Sequence, residues 1–395
     1  MRLKFGALVT SGSGKLGGSV IQGGKNGPVL RSQGLRSTAK ELTASYPQYL
    51  VRTRQASLTK SWKALSQSLR DFYETTKPPH YSGFSWFCAS TFYDFDSHWL
   101  SQGNIGGESR ISVISYFGNG LMLLGTQSTG KIYRSTNYGQ SWVNVSAPFG
   151  QTSVISFCDC GNGIILAGTG TTAKILRSTD YGISWISIGS MFAERNIPSI
   201  ISLGSGIVLA STTNLAHILR SSDNGLSWSD LGRQFSQLYI QRMLYLGSGI
   251  VIAGTGSSGY LLRSINYGLT WLNLGAQAGV TNLNTFCLLP SKAIIAGSTV
   301  SNVILKSSNL GLSFSIIGHL PSGVLCSDII ALSDNLLYCV TGPTQLLFKS
   351  IDGGITWLPV SLGFSADYGL SLCKLASVKL FLGTGFSGIL ASSTI

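Results

Sequence analysis

The chain repeats one nine-residue motif at a constant spacing of 43 residues. The motif has the sequence RSTDYGISW at 177–185, RSSDNGLSW at 220–228 and RSINYGLTW at 263–271. Six copies keep this register with no insertion between them. A repeat this regular predicts a fold built from equal units, each of which buries its apolar face against the next.

Each unit contains four short apolar runs that are separated by Gly-rich breaks, as in SVISFCD, IILAGT, KILRST and SWISIG. Runs of four to seven β-branched and aromatic residues between turn signals predict four antiparallel strands. Four strands in a period of 40–50 residues indicate an all-β fold, a β-propeller of four-stranded blades. Six complete units and a partial seventh, which begins near Asp367, favour seven blades, with six as the alternative.

The seventh unit supplies only three strands up to residue 395, so the ring needs a further strand to close. The segment SGFSWFCAS, 82–90, aligns with YGISWISIG, 181–189, through Gly83, Ser85 and Trp86. We therefore expect residues 84–89 to pair with residues 387–393 as the outermost strand of the last blade. In the competing interpretation, SGFSWF belongs to the N-terminal segment and begins a helix.

The repeated motif is suited to a tight turn between the third and fourth strands. An Asp or Asn oxygen accepts backbone N–H groups, a Gly permits positive φ, and an aromatic ring packs on the blade. Asn replaces Asp in half of the copies, which a catalytic carboxylate would not tolerate, so we predict a structural role. The predicted positions are Asn137, Gly139, Trp142, Asp180, Gly182, Trp185, Asp223, Gly225, Trp228, Asn266, Gly268, Trp271, Asn309, Gly311, Phe314, Asp352, Gly354 and Trp357.

Charge divides the chain near residue 80. Residues 1–80 contain thirteen Lys and Arg against three acidic residues, whereas the whole chain has a net charge of +13. We expect an extended basic arm and a short α-helix over 57–76 that together anchor the protein, a connector at 81–109 that is a candidate source of the closing strand, and the propeller at 110–395. The predicted anchoring residues are Lys4, Phe5, Lys15, Arg52, Arg54 and Trp62.

Composition excludes several classes of site. No apolar run reaches the ~18 residues of a membrane span, and no secretory signal is recognisable, so we expect synthesis in a cytoplasm and no membrane partner. The seven cysteines and four histidines have no metal-ligand spacing, and we predict neither a metal nor a cofactor. Cys158, Cys287 and Cys373 occupy one repeat position, which predicts a buried packing site.

The segments STDYGISW, SSDNGLSW, SINYGLTW and SIDGGITW resemble the Asp-box (BNR repeat), with the pattern S-x-D-x-G-x-T/S-W, of sialidase-like propellers. This resemblance implies the fold over 110–395. Sialidases use an arginine triad, a Tyr nucleophile activated by Glu, and an Asp as acid/base catalyst, whereas the only glutamates after residue 80 are Glu108 and Glu194. We therefore expect no enzymatic activity, and a sialidase-like glycoside hydrolase is the third of three hypotheses.

The N-terminal head resembles a segment of uncharacterised phage structural proteins, through LKFGALVTSGSGKLGGSV, VRTRQASLTKSWKALSQSLRDFY and SGFSWF. This resemblance implies a virion protein, associated with the capsid or tail, that binds other virion proteins through its arm and displays the propeller. The alternative is a glycan- or receptor-binding module for host attachment. Aromatic residues are sparse in the basic arm, so any nucleic-acid contact would be non-specific, and we do not favour it.

Overall fold

The computed structural model describes residues 14–16, 19–24 and 27–32 as strands, and residues 99–145, 149–190, 194–277, 280–321, 324–342, 347–360, 362, 368–375, 379–385 and 388–393. The chain divides into two compact units, Met1–Asp94 and Phe95–Ile395. No helix of the described residues is long and apolar enough to cross a membrane.

The first unit contains a three-stranded antiparallel sheet, with strands β1 (Gly14–Leu16), β2 (Ser19–Gly24) and β3 (Gly27–Ser32) in that order. The expectation of an extended arm is wrong for these residues, because only two residues separate neighbouring strands and such short separations favour hairpins. The predicted helix at 57–76 lies outside the described residues.

The second unit is a ring of seven four-stranded antiparallel blades, as the repeat predicts. Strand β4 (Trp99–Asn104) precedes the first blade, and a short 3-10 turn at Ile105–Gly107 follows it. Blades 1 and 2 comprise β5 (Arg110–Tyr116), β6 (Met122–Gln127), β7 (Ile132–Ser135), β8 (Val143–Asn144), β9 (Val154–Gly161), β10 (Ile164–Thr169), β11 (Lys174–Ser178) and β12 (Ile186–Ser190). Blades 3 and 4 comprise β13 (Asn196–Gly204), β14 (Ile207–Thr213), β15 (His217–Ser221), β16 (Ser229–Arg233), β17 (Ile240–Gly247), β18 (Ile250–Thr255), β19 (Tyr260–Ser264) and β20 (Leu272–Ala276). Blades 5 and 6 comprise β21 (Thr285–Leu288), β22 (Ile294–Gly297), β23 (Val303–Ser307), β24 (Ser315–His319), β25 (Leu325–Ala331), β26 (Leu337–Gly342), β27 (Leu347–Ser350) and β28 (Leu358–Pro359). Blade 7 comprises β29 (Tyr368–Leu375), β30 (Lys379–Gly385), β31 (Ile389–Ser393) and β4.

Strand β4 closes the ring, because it pairs with β31 through Trp99↔Ser393 and Asn104↔Ile389. The predicted closing strand at 84–89 is therefore wrong, although the closing strand does come from the connector. Trp99 lies 43 residues before Trp142, so it occupies the tryptophan position of the repeat for blade 7. Trp86 does not lie a multiple of 43 residues before Trp142, so the alignment of 82–90 breaks the repeat spacing. The constant spacing alone would have identified Trp99.

The hydrophobic core lies between blades rather than at one centre. One of its clusters joins Cys158 and Leu166 of blade 2 to Ile197 and Leu219 of blade 3, and all four are buried. Glycines of the second strands allow this close packing: a Cβ on Gly168 would lie 2.4 Å from the carbonyl oxygen of Ile197. Each blade therefore depends on the next for burial of its apolar face.

Candidate functional site

The turn motif (residues 135–142, 178–185, 221–228, 264–271, 307–314 and 350–357) lies at one end of the ring. We call this end the turn face, because the turns between first and second strands lie there too. In blade 2, Tyr181 N–H donates to the carbonyl of Gly163 at 3.0 Å and so joins the two turns. The loops between second and third strands and the connections between blades form the opposite end, the connection face.

Hydrogen bonds inside each turn motif centre on its serine and its Asp or Asn. The Ser178 hydroxyl donates to Asp180 Oδ1 at 2.7 Å and accepts the N–H of Gly182 at 2.9 Å, while Asp180 Oδ1 accepts the N–H of Ser184 at 2.9 Å. The Asn copies keep this pattern, since Asn137 Oδ1 accepts the N–H of Ser141 at 2.9 Å. These side-chain oxygens accept the backbone N–H groups that a tight turn leaves without carbonyl partners.

The carboxylates of Asp180 and Asp223 are held ionised. Partial burial raises the pKa of each carboxyl group, but hydrogen bonds from the hydroxyl and N–H of Ser184 or Ser227, and from Ser178 or Ser221, outweigh burial and lower it to about 2. The same causes lower the pKa of Asp352, through Thr356 and Ser350. The negative charges of these carboxylates are therefore stabilised by hydrogen bonds from their own turns.

The glycine and the tryptophan of the motif fix the turn against neighbouring blades. Gly225 has φ of 77°, and a Cβ there would lie 2.5 Å from Leu166 of the preceding blade. Trp185 is 6% exposed, and the Trp228 indole N–H donates to the carbonyl of Gly225 at 3.1 Å. Phe314 takes the tryptophan position in blade 5 and packs against Phe286.

An arginine of each third strand in blades 1–4 reaches the turn motif of the next blade. The Nε of Arg134 donates to the carbonyl of Tyr181 at 2.8 Å, and Arg177 donates to that of Asn224 at 3.1 Å. Arg220 and Arg263 make the equivalent bonds to Tyr267 at 3.4 Å and Leu310 at 3.1 Å. These four arginines thus brace adjacent blades through a single nitrogen each.

The inner strands line a central channel whose cavity has a volume of about 270 Å³. One repeat position supplies six residues to its lining: Val113, Ser156, Ser199, Arg242, Asp328 and Ser371. In blade 5 this position holds Thr285, whose hydroxyl donates to Asp328 Oδ1 at 3.3 Å. Arg242 Nη2 lies 3.3 Å from Asp328 Oδ1, and Asp328 Oδ2 accepts the N–H of Leu372 at 3.0 Å. This ion pair joins blades 4 and 6, and the Asp328 carboxylate also ties blade 6 to blade 7.

The connection face contains a paired position that the sequence analysis missed. The buried Glu108 lies 2.7 Å from Lys131 Nζ and accepts the hydroxyls of Tyr133, at 3.1 Å, and Thr129. Burial raises the pKa of Glu108, but its hydrogen bonds with Lys131, Thr129 and Tyr133 outweigh burial and leave that pKa lowered. This carboxylate fastens the entry to blade 1.

Two blades further on, the same position holds Glu194, which is 4% exposed. Its Oε2 accepts the N–H of Leu215 at 3.2 Å, and its Oε1 lies 3.8 Å from Nε2 of His217, whose Nδ1 is 2.7 Å from Asp230 Oδ2. The spacing of 23 residues from Glu108 to Lys131 recurs from Glu194 to His217. This recurrence of an acidic residue and a basic one is the sequence signal that could have revealed the paired position.

The remaining predicted residues fall into two groups. Cys158, Cys287 and Cys373 are buried, and burial raises the pKa of Cys287 and of Cys373 to about 12, with a further contribution from the charge of Asp328. Of the predicted anchoring residues, Lys15 lies in β1, whereas Lys4, Phe5, Arg52, Arg54 and Trp62 lie outside the described residues. The described part of the chain holds no cluster of three or more His, Cys, Asp or Glu side chains that could bind a metal.

No protein-family model matches the chain, and no curated protein matches it. Among solved structures it is similar to YCF48 bound to a D1 peptide, with 18% identity and a TM-score of 0.62 over 75% of this chain and 97% of that one. It is similar to a streptogramin B lyase, with 13% identity and a TM-score of 0.66 over 76% and 99%. The GH74 xyloglucanase from Xanthomonas campestris has 16% identity and a TM-score of 0.61 over 75% of this chain and 53% of that one. At these identities the likeness establishes the fold alone, a seven-bladed propeller that enzymes and other proteins share.

Proposed function

We propose that the chain is a structural protein of a phage particle, attached to the capsid or tail through residues 1–80 and displaying the propeller. The observation that carries this proposal is the charge division: residues 1–80 hold thirteen of the 28 Lys and Arg and only three of the 15 acidic residues. A basic segment beside a nearly neutral ring suits attachment to an acidic surface of a larger assembly. The resemblance of the head to phage structural proteins supports the same role.

We further propose that the turn motifs are Asp-boxes and that the ring is a sialidase-like propeller without enzymatic activity. Its carboxylates support this, because they have structural partners. Asp180 and Asp223 hold their turns, Asp328 joins its own inner strand to three others, and Glu108 fastens the entry to blade 1. A glycoside hydrolase needs two carboxyl groups placed to act on one bond.

A receptor- or glycan-binding module is the second candidate function, and the half-buried arginines beside exposed tyrosines on the turn face favour it. Binding by a ring of this architecture has a precedent in YCF48 bound to a D1 peptide. The two candidates are compatible, since a displayed propeller can also bind.

Incorporation into particles tests the first proposal. Cells that produce the particles would express the full chain or residues 81–395, and mass spectrometry of purified particles would measure the copies incorporated. We expect residues 81–395 to remain soluble and folded but to be absent from particles. Full-length chain with Arg195→Gln and Lys292→Gln, both exposed on the ring, is a charge control and should be incorporated normally. Incorporation of residues 81–395 at the full-length level would refute the anchoring role.

A further inference from the structure

The four bracing arginines keep unused donors on the turn face. Each uses Nε for its bond to the next blade, and within the described ranges no hydrogen bond or ion pair involves the Nη atoms of Arg134, Arg177, Arg220 or Arg263. A guanidinium group presents five N–H donors in a planar fork that matches a carboxylate. The brace orders each side chain in advance, so less conformational entropy is lost when a ligand binds.

Exposed tyrosines accompany these arginines. Tyr138, Tyr181 and Tyr267 are 47%, 56% and 40% exposed. All three have left-handed backbone conformations, with φ of 58°, 59° and 57°, which are uncommon outside glycine and asparagine. Asn224 and Gly353 occupy the same position in other blades without that penalty. Leu310 takes the same position in blade 5 with φ of 55°, so the left-handed conformation belongs to the turn, and blades 1, 2 and 4 display a tyrosine on it.

The turn face also carries most of the exposed apolar side chains. Sixteen of the 21 exposed large hydrophobic residues in the described part of the chain lie in the turn motifs or in the strands that follow them. One repeat position alone places five aliphatic residues there, each between 51% and 57% exposed: Ile183, Leu226, Leu269, Leu312 and Ile355. Exposed apolar side chains gathered on one face are a feature of protein–protein interaction sites.

Arginine occupies the bracing repeat position in blades 1–4 alone, although blade 5 also presents the exposed Lys292 on the turn face. In blade 5 the repeat position of the arginines holds Lys306, which is attracted to Asp334, and in blade 6 it holds the buried Lys349. Three aspartates of these blades lie on the turn face, Asp159, Asp180 and Asp223, and each accepts a backbone N–H group of its own turn. The surface of blades 1–4 therefore combines cationic, aromatic and aliphatic groups.

We propose that the turn face of blades 1–4 binds a protein partner whose contact surface is acidic and apolar. Charge complementarity requires carboxylates opposite the arginines, and Tyr and Arg are the residue types that dominate binding energy at protein interfaces. The aliphatic side chains favour a protein over an acidic polysaccharide, which would leave them in water. This inference rests on the second candidate function, the receptor-binding module, and names the chemistry of its partner; it holds whether or not the chain belongs to a particle.

Selection from a random peptide library on the full-length chain tests the proposal. We expect the enriched peptides to carry Asp or Glu beside Leu, Ile or aromatic residues, and their affinity to fall as salt is raised from about 0.05 to about 0.5 M. Arg177→Gln with Arg220→Gln should weaken the enriched peptides at least tenfold in fluorescence anisotropy. Leu226→Gln with Leu269→Gln should do the same without touching the brace, and blade 1 already has Gln140 at that position.

Leu238→Gln is the matched control, because Leu238 is 43% exposed on the connection face and its replacement should leave peptide binding unchanged. Melting temperatures of all variants separate lost binding from lost folding. Failure to enrich any peptide, enrichment of peptides without acidic residues, or binding that survives both double variants would overturn the proposal. Binding of polygalacturonate in place of the peptides would overturn it in favour of an acidic glycan.

Discussion

At the scale of single residues, the turn motif explains why Asp and Asn alternate along one repeat position. In Asp copies the Ser184 hydroxyl donates to Asp180 Oδ2 at 2.5 Å, whereas in Asn copies Asn266 Nδ2 donates to the Thr270 hydroxyl at 2.9 Å. A hydroxyl can donate or accept, so it accommodates either partner. The N–H of the residue four positions on donates to Oδ1 in both cases, and only the Asp copies add a bond from the residue three positions on.

The exchange of Asp for Asn between copies predicts that two substitutions in one motif differ in their effect on the free energy of unfolding. Asp180→Asn should change the free energy of unfolding by less than about 1 kcal/mol, since the amide reproduces the turn. Trp185→Ala should cost about 3–5 kcal/mol, because Trp185 is 6% exposed and its loss leaves a cavity between blades 1 and 2. Urea unfolding of the two variants measures both costs, and equal losses would contradict the structural role.

The lowered pKa values also predict an acid response. The carboxyl groups of Asp180 and Asp223 have a pKa of about 2 in the fold against 3.8 without it. Their contribution to stability is therefore complete above about pH 4 and is lost as the pH falls towards 2. The double variant Asp180→Asn/Asp223→Asn should show a shallower loss of stability between about pH 4 and 2 than the wild type. Identical curves would exclude these two groups as the titrating ones.

Sequence could predict the turn residues because their roles are local, within eight positions of the chain. It could not predict the Arg242–Asp328 ion pair, whose members are 86 residues apart and meet only because the ring closes. The bracing bonds of Arg134 and Arg177 escaped prediction for the same reason, although their regular spacing was visible.

At the scale of the blade elements, the contact between the segment that enters a blade and the third strand of that blade is polar in some blades and apolar in others. Blade 1 joins Glu108 to Lys131 and Tyr133, whereas blade 5 places Val280, Val303 and Leu305 at the same three repeat positions. All three blade 5 residues are buried. The architecture therefore accepts either an ion pair or an apolar contact where a blade begins.

This equivalence predicts a rescue. Glu108→Val alone removes a buried carboxylate from Lys131, Thr129 and Tyr133 and should destabilise the protein by about 1–3 kcal/mol, because the buried Tyr133 hydroxyl loses its acceptor while Lys131 stays partly exposed to water. The triple variant Glu108→Val/Lys131→Val/Tyr133→Leu copies blade 5 and should recover most of that loss. Thermal unfolding of the two variants measures the difference. A triple variant less stable than the single one would show that the blades are not interchangeable at this position.

At the scale of the whole molecule, the number of blades follows from the repeat, but the closing strand does not follow from local resemblance. The segment at 82–90 resembles a repeat more closely than the segment around Trp99, yet β4 lies at 99–104. The 43-residue spacing decides the matter, because Trp99 must fill the same space between blades as its counterparts. Global register thus outweighs the similarity of a short stretch.

Ring closure predicts a sharp difference between two truncations. Residues 95–395 should unfold as one cooperative unit, because β4 is present. Residues 105–395 should melt at least about 6 °C lower, since the loss of Trp99 and of the outer strand costs about 3 kcal/mol or more. They should also associate through the exposed edge of β31. Differential scanning calorimetry and light scattering measure the two effects, and equal melting temperatures would contradict closure by β4.

The position of β4 also determines how the ring carries mechanical load. Four residues separate the first unit from this strand, so tension applied through that unit enters the ring at Trp99, at one end of the β4–β31 ladder. The β4–β31 pairing is therefore the first part of the ring to bear that tension. The pairing of β4 with β31 thus transmits force between the attachment point of the first unit and any partner bound to the propeller.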